Sequence, residues 1–587
     1  VHLFKFGAQF MRYQQNIVYS GVAGANGYIG YSGAFSGDPL IKSSSNVPNS
    51  KGYAVADFSM NRALTMGRGP VAGYVGQRQW RDAVFAQDDW KLRPNLTINL
   101  GLRWEYDQPI YEVNNKESNV NLQTGKLEIA GQDGNSRALY NSTWTNFMPR
   151  IGFSYNPVRR FVVRAGFGST TFLAGTGANL RPIFNPPFQT TVEYAGNTPV
   201  NLTNTGEFVT AQTAFSAHSP DCDTLNNPKC AITIRAWRKN LRPSTVNEYS
   251  LTTEYQFSNT ASFQVGYVGE TGVHLIDANN GNQLSHPCFD GDTLLGYNDP
   301  QCFAVNKAPY YQLAGQSGFV RITESESMMN YNALQATFRQ RLLHGLQFTA
   351  NYTFSRAMTN ATGYYGGLLD VAGNSSYPSN PKHLDWEYGP APTDATHNVN
   401  FNIIYQLPFG HGRLYGANVN RFMNEIIGGW KVSMTGSAYT GVPMTITGKN
   451  TGGVRSPSPR ALRYRHFKIH NRNIDQWFGD DPSTEGCIDP GVDNGVCAYG
   501  VPAYGVIANA RPRSERVPGY QNYNAALFKT FAITERQRLS LRAEAFNALN
   551  VVSYGNPVQS ITSTNFGRIS STRSGARNFQ FSAKYSF

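Results

Sequence analysis

The sequence predicts an all-β protein, a transmembrane antiparallel up-and-down β-barrel, and three observations carry this prediction. Apolar and polar side chains alternate in about a dozen segments that are each about ten residues long. Short turns and long polar connections alternate between these segments. Aromatic residues make up 13% of the 587 residues, whereas charged residues make up only 15%. This combination is typical of strands that present one face to lipid and the other to water.

The last segment, residues 577–587 (RNFQFSAKYSF), shows the alternation most regularly. Its polar residues share one face, and its apolar residues share the other, which comprises Phe579, Phe581, Ala583, Tyr585 and Phe587. Successive side chains of a strand point to opposite faces, so this segment reads as a two-faced β-strand. The segments TINLGLRWEY (97–106) and LQFTANYTFS (346–355) repeat the pattern.

Roughly 15 strands follow from this pattern. Bacterial barrels have even strand numbers and outer-membrane transporters have about 22 strands, so we expect about 22 in the full protein. Residues 51–67 break the alternation and predict a short helix in a loop. The predicted strands are 1–14, 25–37, 78–92, 96–107, 147–157, 160–172, 246–257, 261–272, 330–342, 346–356, 397–407, 429–440, 521–533, 537–549 and 577–587.

The connections fall into two classes that alternate along the chain. Tight turns are predicted at 93–95, 156–159, 258–260, 343–345 and 534–536. Barrels of the outer membrane have short periplasmic turns and long extracellular loops, so this asymmetry favours a barrel over a soluble sandwich. The long stretches, rich in Gly, Asn, Ser and Pro, are roughly 108–146, 173–245, 273–329, 357–395 and 441–520.

Composition and motifs exclude several functions. The mean hydropathy of −0.41 and the lack of a run of about 18 apolar residues exclude a transmembrane helix. The net charge is +13, but no nucleic-acid recognition motif is present, so we expect no nucleic-acid partner. The motifs of hydrolases, zinc proteases, phosphate-binding loops and dinucleotide-binding folds are also missing. We therefore expect no enzyme, no catalytic residues, no cofactor and no metal.

The six cysteines form three pairs that are close in sequence, each within a polar segment. Such pairs suit loop disulfides in an oxidising compartment, and scattered free thiols are the alternative. The last pair encloses Asp489 and Asp493; a calcium site is conceivable there, but the EF-hand spacing is missing and a polar turn is preferred. The pairs are Cys222 with Cys230, Cys288 with Cys302, and Cys487 with Cys497.

Basic residues concentrate in one predicted external loop. Guanidinium and ammonium groups bind carboxylates and phosphates, so this patch predicts capture of an anionic ligand or contact with lipopolysaccharide phosphates. A solvated basic loop without a ligand is the alternative. The patch comprises Arg463, Arg465, Lys468, Arg472, Arg511 and Arg513.

The stretch VFAQDDWKLRPNLTINLGLRWEYD (84–107) resembles a hairpin of TonB-dependent outer-membrane receptors of the Oar-like type, which is common in acidobacteria. LRAEAFNALNVVSYGNP (541–557), FGRI (566–569) and the closing strand are similar to the end of the same proteins, and HLFKFGAQFMRYQ (2–14) resembles an early barrel strand. The resemblance extends over essentially the whole chain.

This resemblance implies a location in the bacterial outer membrane and import of a bulky nutrient, such as a siderophore, an oligosaccharide or a peptide. It implies contacts with membrane lipid, lipopolysaccharide, an extracellular ligand and, through an N-terminal plug and TonB box, the TonB complex. It also implies that the barrel-assembly machinery recognises the terminal aromatics Tyr585 and Phe587. Plug and TonB box are not found in residues 1–587, so we interpret the chain as one N-terminally truncated barrel domain. A surface adhesion barrel without active transport and a soluble secreted β-protein are the alternatives.

Overall fold

The fold is seen in a computed structural model, which describes one large sheet and a part of the connections. The described residues are 1–18, 26–33, 35–36, 52–63, 65–68, 74–172, 182–188, 192–194, 234–283, 289–290, 293–294, 308–314, 320–361, 378–451, 459–503, 506–508 and 510–587.

One large sheet of 17 strands dominates the structure. Three of its strands are short pieces, Tyr111–Glu112, Ile234–Trp237 and Gly389–Pro390. The long strands are β1 (His2–Ile17), β2 (Val75–Arg93), β3 (Leu96–Asp107), β4 (Phe147–Val158), β5 (Phe161–Phe172), β6 (Ser244–Gln256), β7 (Ala261–Asn280), β8 (Val320–Leu343), β9 (Leu346–Thr359), β10 (His397–Gln406), β11 (Lys431–Tyr439), β12 (Tyr520–Ala532), β13 (Arg538–Phe546) and β14 (Asn578–Ser586).

Each long strand pairs antiparallel with the next long strand along the chain, which confirms the up-and-down order. The ladder begins with β1 on β2, where His2 lies opposite Trp90 and Ile17 opposite Val75. It ends with β13 on β14, where Arg538 lies opposite Ser586. Within the described residues, β1 and β14 each have a single long neighbour. The fold class predicted from the sequence is confirmed.

All of the predicted strands except one belong to this sheet. The exception is 25–37, where only Tyr28–Gly30 is a strand, and it pairs with Thr65–Arg68 in a small separate sheet that also contains Val192–Tyr194. The prediction of a barrel strand here is wrong because Gly27 and Gly33 adopt positive φ angles of 74° and 86°, which end the extended backbone on both sides.

The predicted helix within 51–67 is present as α1 (Ala54–Ser59). Two further short helices, α2 (Pro309–Ala314) and α3 (Arg421–Ile427), lie in connections. No helix of the described residues is both long and apolar enough to cross a bilayer. The remaining short elements are the 3₁₀ turns Pro182–Phe184, Leu384–Glu387 and Pro482–Thr484 and the strands Ser118–Val120, Leu127–Ile129, Phe289–Asp290, Thr293–Leu294, Pro443–Met444, Leu462–Arg463, Gly486–Cys487, Tyr499–Gly500 and Glu515–Arg516.

Within the described residues, the greater part of the apolar face of the sheet has no second protein layer against it. Cross-strand register places the aromatic and aliphatic rows on one common face, here called the outward face, and these side chains are exposed: Leu102 by 50%, Leu251 by 50% and Phe581 by 78%. A sandwich would bury these rows between two sheets. Exposed rows of this kind suit acyl chains as their solvent.

A band of large aromatic side chains marks the end of the outward face at which the short turns lie. Each lies within three residues of the strand end at the short turns or, for Trp430, directly before β11. Aromatic girdles of this kind occur at membrane interfaces because their rings suit the headgroup level. We call this band the inner girdle; it comprises Trp90, Tyr155, Tyr255, Tyr405, Trp430 and Tyr585.

The hydrophobic cores of the molecule lie in the long connections. β7 and β8 have 20 and 24 residues, about twice the 9 to 11 that cross a bilayer, and their outer parts support a first outer cluster. A second outer cluster lies in the connection after β11 and includes one residue, Ile561, of the connection after β13. The first comprises Val120, Ile234, Ala236, Tyr310, Val320 and Ile322. The second comprises Met444, Ile446, Ala461, Phe478, Ala498, Tyr499, Val501, Val517 and Ile561.

Candidate functional site

The face of the sheet opposite the aromatic rows is polar and internally paired. Lys5 Nζ lies 2.6 Å from Asp89 Oδ2, and Asn99 Nδ2 donates to Asp89 Oδ1 over 2.7 Å. On neighbouring strands, Arg164 Nη1 lies 3.1 Å from Glu254 Oε2. Exposed ion pairs of this kind keep a surface hydrated and contribute little stability. In a barrel, this face lines a wet lumen.

A cleft of about 660 Å³ opens beside the first outer cluster. Its walls come from the connection after β3, the segment before β6 and the outer parts of β7 and β8. The strands thus act as a rigid support for the loop residues. The wall residues that the following argument uses are Asn121, Trp237, Arg238, Lys239, Arg242 and His274.

Two of the three cations that line this cleft are paired with carboxylates. Arg238 Nε lies 2.7 Å from Glu324 Oε2 and 3.6 Å from Glu326 Oε1. Burial by itself would lower the pKa of Arg238, but the hydrogen bond and charge of Glu324 outweigh it and raise that pKa. Lys239 Nζ lies 2.8 Å from Glu128 Oε1. Both cations are therefore positioned by carboxylates.

Among the described residues, Arg242 is the cation of this cleft whose side chain is not paired with a carboxylate. Its backbone N–H donates to Ser325 Oγ over 3.0 Å, whereas its guanidinium makes no hydrogen bond or ion pair within the described part of the chain. His274 lies on the same wall, in a register irregularity between Gly272 and Leu275, with φ of 55°. The bulge interrupts the regular ladder at the position of His274.

The six residues of the predicted basic patch in the last long loop differ in the contacts that they make. Arg465 Nη2 lies 2.7 Å from Asp493 Oδ2, and hydrogen bonding from Arg465 lowers the pKa of Asp493. Arg463 lies over the Tyr499 ring at 5.7 Å, with its Nη2 3.9 Å from Glu515 Oε1.

The other four basic residues differ in exposure. Arg472 lies over the Trp477 ring at 4.5 Å. Lys468, Arg472 and Arg511 have exposed side chains. Arg513 is buried and donates to the carbonyl oxygens of Thr359 and Glu387, each over 3.0 Å. The structure thus presents three of the six cations at the surface, and the patch as a ligand site stays a prediction.

The Cys487–Cys497 disulfide is present, as predicted, with 5.9 Å between the Cα atoms. It closes the turn in which Asp493 accepts from Gly495 N over 2.9 Å and pairs with Arg465. Cys487, Asp493 and Cys497 form the one cluster of potential metal ligands among the described residues. Because its sulfurs are bonded to each other and its carboxylate is paired, the cluster fits a stapled polar turn. The other two predicted pairs, at Cys222, Cys230, Cys288 and Cys302, lie outside the described residues.

A buried polar contact joins two outer connections. Arg460 Nη2 lies 2.9 Å from Glu387 Oε1 and also donates to Ser379 Oγ over 2.8 Å. Both charged side chains are almost fully buried. Arg516 reinforces the junction through an ion pair with Asp394 and a hydrogen bond to the Gly441 carbonyl of 2.9 Å. The outer connections after β9 and β11 therefore act as one body above the sheet.

The predicted terminal signal residues are exposed at the end of β14. Tyr585 belongs to the inner girdle, and the rings of Tyr585 and Phe587 lie 5.9 Å apart. Both are accessible on the last strand, as recognition from outside would require. Their role in barrel assembly stays a prediction.

The sequence analysis did not identify the cleft at Arg242. A local signal was present, because RAWRKNLR (235–242) holds four basic residues and a tryptophan within eight positions. The carboxylates that organise it, Glu128, Glu324 and Glu326, lie far away in sequence. The outer part of β8 supplies Glu324 and Glu326, and the connection after β3 supplies Glu128.

Comparison with known proteins relates the chain to outer-membrane barrels. A family model described as "Outer membrane beta barrel domain" matches residues 1–580. No curated protein matches the chain.

Solved structures similar to the chain include three siderophore receptors or iron transporters. They are the siderophore receptor PiuA from Acinetobacter baumannii (9% identity, TM-score 0.42, 100% of this chain and 53% of that one), the pyoverdine outer membrane receptor FpvA from Pseudomonas aeruginosa PAO1 (9%, 0.40, 89% and 44%) and the FrpB iron transporter from Neisseria meningitidis (10%, 0.37, 87% and 46%). The chain spans about half the length of these proteins.

The match of the family model over nearly the whole chain agrees with the antiparallel order, the exposed aromatic rows and the inner girdle. It also gives the location, which is the bacterial outer membrane. The chain belongs to the outer membrane beta barrel domain family.

Proposed function

We propose that this chain is the barrel of a TonB-dependent outer-membrane receptor that binds a bulky anionic nutrient at its outer face and admits it through a polar lumen. The observation that carries the proposal is the cleft beside the first outer cluster. Its volume of about 660 Å³ lies within the range of about 300 to 1,000 Å³ that is usual for ligand pockets.

The charges of the cleft support an anionic ligand. Arg238 and Lys239 are paired with carboxylates, so their charges are largely balanced and Arg242 is the cation that carries the argument. Arg242 has its donors available, and a planar guanidinium binds carboxylates and phosphates in a bidentate manner. Trp237 and Asn121 add an aromatic edge and an amide on the same walls. This combination suits a chelate or acidic oligomer with several carboxylate or hydroxamate oxygens.

The polar inward face supports passage of the solute. Charged and amide side chains follow the ladder from β1 to β14, including the Arg542–Glu544 pair with 2.8 Å between Nη2 and Oε1. A lumen of this chemistry stays hydrated and does not hold an apolar solute. The resemblance of residues 84–107 to Oar-like receptors supports coupling of this passage to the TonB complex.

A binding measurement tests the cleft. The chain is reconstituted in nanodiscs, and titration calorimetry compares ferric citrate, an anionic iron chelate, with maltohexaose, a neutral oligosaccharide. We expect ferric citrate to bind, and Arg242→Ala to weaken it about tenfold, which corresponds to about 1.4 kcal/mol. Arg159→Ala is the matched control, because Arg159 is exposed in the short turn between β4 and β5, at the opposite end of the sheet from this cleft. Equal binding of both probes, or equal losses in both variants, contradicts an anionic site at Arg242.

A surface adhesion barrel without active transport is the second candidate. The observation that favours it is the presence of two outer clusters with hydrophobic cores of their own. These cores give the loops a fixed surface shape, which suits the binding of a macromolecule. Uptake of iron-55 citrate by cells that produce the native receptor separates the two functions. Uptake that stops when the TonB complex is deleted supports transport. Surface binding without any uptake supports adhesion.

A further inference from the structure

One connection at the turn end of the sheet differs from the others. The other turns at this end join their strands through a few residues, as at 94–95 and 344–345. Residues 407–430, between β10 and β11, instead form a folded segment with the helix α3. Asn420 caps this helix by accepting from Met423 N over 2.8 Å, and Asn424 Oδ1 accepts from His411 N over 2.7 Å. We call residues 407–430 the inner segment.

Lys529 shows on which side of the sheet the inner segment lies. Its register partner is Leu541, and its neighbours on the same face are Leu527 and Phe531, so its side chain leaves from the outward face. Its exposed fraction is nevertheless only 3%. Lys529 Nζ donates to the backbone carbonyl of Glu425 at the end of α3 and lies 5.6 Å from the Trp430 ring centre. The inner segment therefore covers the outward face at this point.

Trp430 fixes the level of the inner segment relative to the membrane. It belongs to the inner girdle, and its indole Nε1 donates to the Ile426 carbonyl over 2.8 Å. Helix α3 thus ends at the girdle, on the side of the sheet that faces lipid. The girdle marks the headgroup level, so α3 lies at the boundary between headgroups and acyl chains.

The inner segment exposes apolar side chains that nothing in the described part of the chain covers. Leu414 is exposed by 78%, Phe422 by 74%, Tyr415 by 56% and Ile426 by 51%. Phe422 and Ile426 lie four positions apart on α3 and so share one face of it, and exposed apolar patches are rare on proteins that face only water. Helices that lie in a membrane interface expose such residues because acyl chains replace water around them.

Two cations accompany these apolar residues. Arg413 and Arg421 are exposed on the same segment, and the only carboxylate in residues 407–430 is Glu425. Arginine side chains next to an apolar interfacial surface suit the phosphates of phospholipid headgroups. The two arginines and the exposed apolar side chains therefore both indicate a phospholipid surface as the binding partner of the inner segment.

We propose that the inner segment is an interfacial anchor that inserts into the periplasmic leaflet of the outer membrane. Phe422, Ile426 and Leu414 enter the upper acyl region, and Arg413 and Arg421 bind phospholipid phosphates. The cover over Lys529 also keeps that ammonium out of the hydrocarbon, where an unpaired charge is costly. The proposal is independent of the ligand and of transport, since it concerns the opposite end of the molecule from the cleft.

A lipid surface fits better than a protein partner because the exposed patch continues the outward face of the barrel. Trp430 belongs to both the girdle and the inner segment, and Tyr405 of the girdle lies two positions before the segment. A periplasmic protein would have to displace lipid from this boundary to reach Phe422. The test below includes that outcome.

Depth-dependent fluorescence quenching tests the proposal. Phe422→Cys and, separately, Leu414→Cys are labelled with bimane in the full chain, which is reconstituted in vesicles of phosphatidylethanolamine and phosphatidylglycerol; the parent chain treated with bimane in the same way is the blank for its own six cysteines. Both side chains are exposed and unpacked, so both variants are expected to fold. Val492→Cys, exposed by 51% in the outer disulfide turn, is the matched control at the other end.

We expect lipids that carry a nitroxide near the headgroup to quench both inner labels at least twofold more than the Val492 label. Aqueous iodide should quench the Val492 label at least twofold more than the inner labels. Strong iodide quenching of the inner labels without lipid quenching overturns the proposal. Protection from both quenchers that appears only with added periplasmic extract also overturns it, in favour of a protein partner.

Discussion

Arg460 and Glu387 form a buried ion pair, with Nη2 and Oε1 2.9 Å apart, although 73 positions separate them in the sequence. Arg513 donates to the backbone carbonyl of the same Glu387 over 3.0 Å. The contact joins the connection after β9 to the connection after β11. Because both connections lie above the sheet, this pair sets the shape of that part of the outer face.

Glu387→Ala is expected to open this junction. The substitution leaves the Arg460 guanidinium buried without its counter-charge, and breaking a buried pair from one side costs about 3 to 5 kcal/mol. Hydrogen exchange of peptides covering 378–390 and 459–464 measures the free energy of local opening. We expect protection in both peptides to fall together, because the pair holds both segments.

The exposed pair Asp475–Arg568 is the matched control for this prediction. Its Oδ1 and Nε lie 3.3 Å apart, but both side chains are more than half exposed. Asp475→Ala should therefore change local stability by no more than about 0.5 kcal/mol. An equal effect of the two substitutions would show that burial does not govern the strength of the Arg460–Glu387 contact.

The sheet could be predicted from the sequence because its signal is local. In 97–106 and 346–355, alternate side chains differ in polarity, and a strand needs no information from elsewhere to display that period. The prediction of a barrel strand at 25–37 was wrong because glycines adopt positive φ angles at two positions there. A count of apolar residues does not detect such backbone angles. The short helix α3 was missed because seven residues are too few for a helical period to stand out.

The outer site could be predicted only in part, for a different reason. Cys487 and Cys497 are close in sequence, so their pairing follows from proximity. Arg460 and Glu387 come from different connections, and Arg513 takes its acceptors from both β9 and the segment after it. Which cations of a basic loop become buried therefore depends on how two loops pack, and no local pattern in either loop encodes that.

Gly436 allows two aromatic rings to pack on the outward face. It lies opposite Phe401 on β10 and Tyr523 on β12. A Cβ atom at Gly436 would lie 2.3 Å from Phe401 Cε1 and 2.9 Å from Tyr523 Cδ1. Gly436→Ala is expected to displace both rings at a cost of about 1 to 3 kcal/mol. The loss is measured as a decrease in the urea concentration at which half of the protein no longer migrates as the folded, heat-modifiable form on gels of unheated samples.

Gly166→Ala serves as the control for the substitution at Gly436. A Cβ atom at Gly166 would meet no heavy atom closer than Ser250 Oγ at 3.8 Å. Both glycines lie within long strands, so the change in backbone entropy is similar. If both variants lost the same stability, ring packing around Gly436 would not be the cause.

The Cys487–Cys497 disulfide is expected to hold the turn that orients Arg465. Replacing both cysteines by alanine removes a covalent link between residues that are 10 positions apart. Because the unfolded chain then gains conformational entropy, the free energy of unfolding is expected to fall by up to about 3 kcal/mol. Arg465 also donates to the Cys497 carbonyl, so its contact with Asp493 should loosen as well. Faster hydrogen exchange in 463–467 and 487–499, with unchanged exchange in β13, is the expected result. Unchanged exchange in 463–467 would separate Arg465 from the disulfide.

Glu515 should make the second outer cluster sensitive to pH. Burial raises the pKa of Glu515 above its usual 4.5, although the Tyr499 hydroxyl donates to its Oε1 over 2.6 Å and Arg463 lies nearby. Burial likewise raises the pKa of Tyr499, so its phenol keeps its proton over the range considered. The folded state therefore binds a proton at Glu515 more tightly than the unfolded state. The stability from this proton is fully present below the unfolded pKa and is lost as pH rises through the raised folded pKa.

Glu515→Gln tests this dependence because it keeps the acceptor for Tyr499 and removes the charge. We expect the variant and the parent to have equal protection in peptide 496–503 at pH 4, and the variant to be better protected at pH 8. Comparing the two proteins at the same pH cancels the intrinsic pH dependence of exchange. Better protection of the parent at pH 8 would mean that the ionised Glu515 stabilises the cluster through Arg463, whose Nη2 lies 3.9 Å away, more than its burial costs.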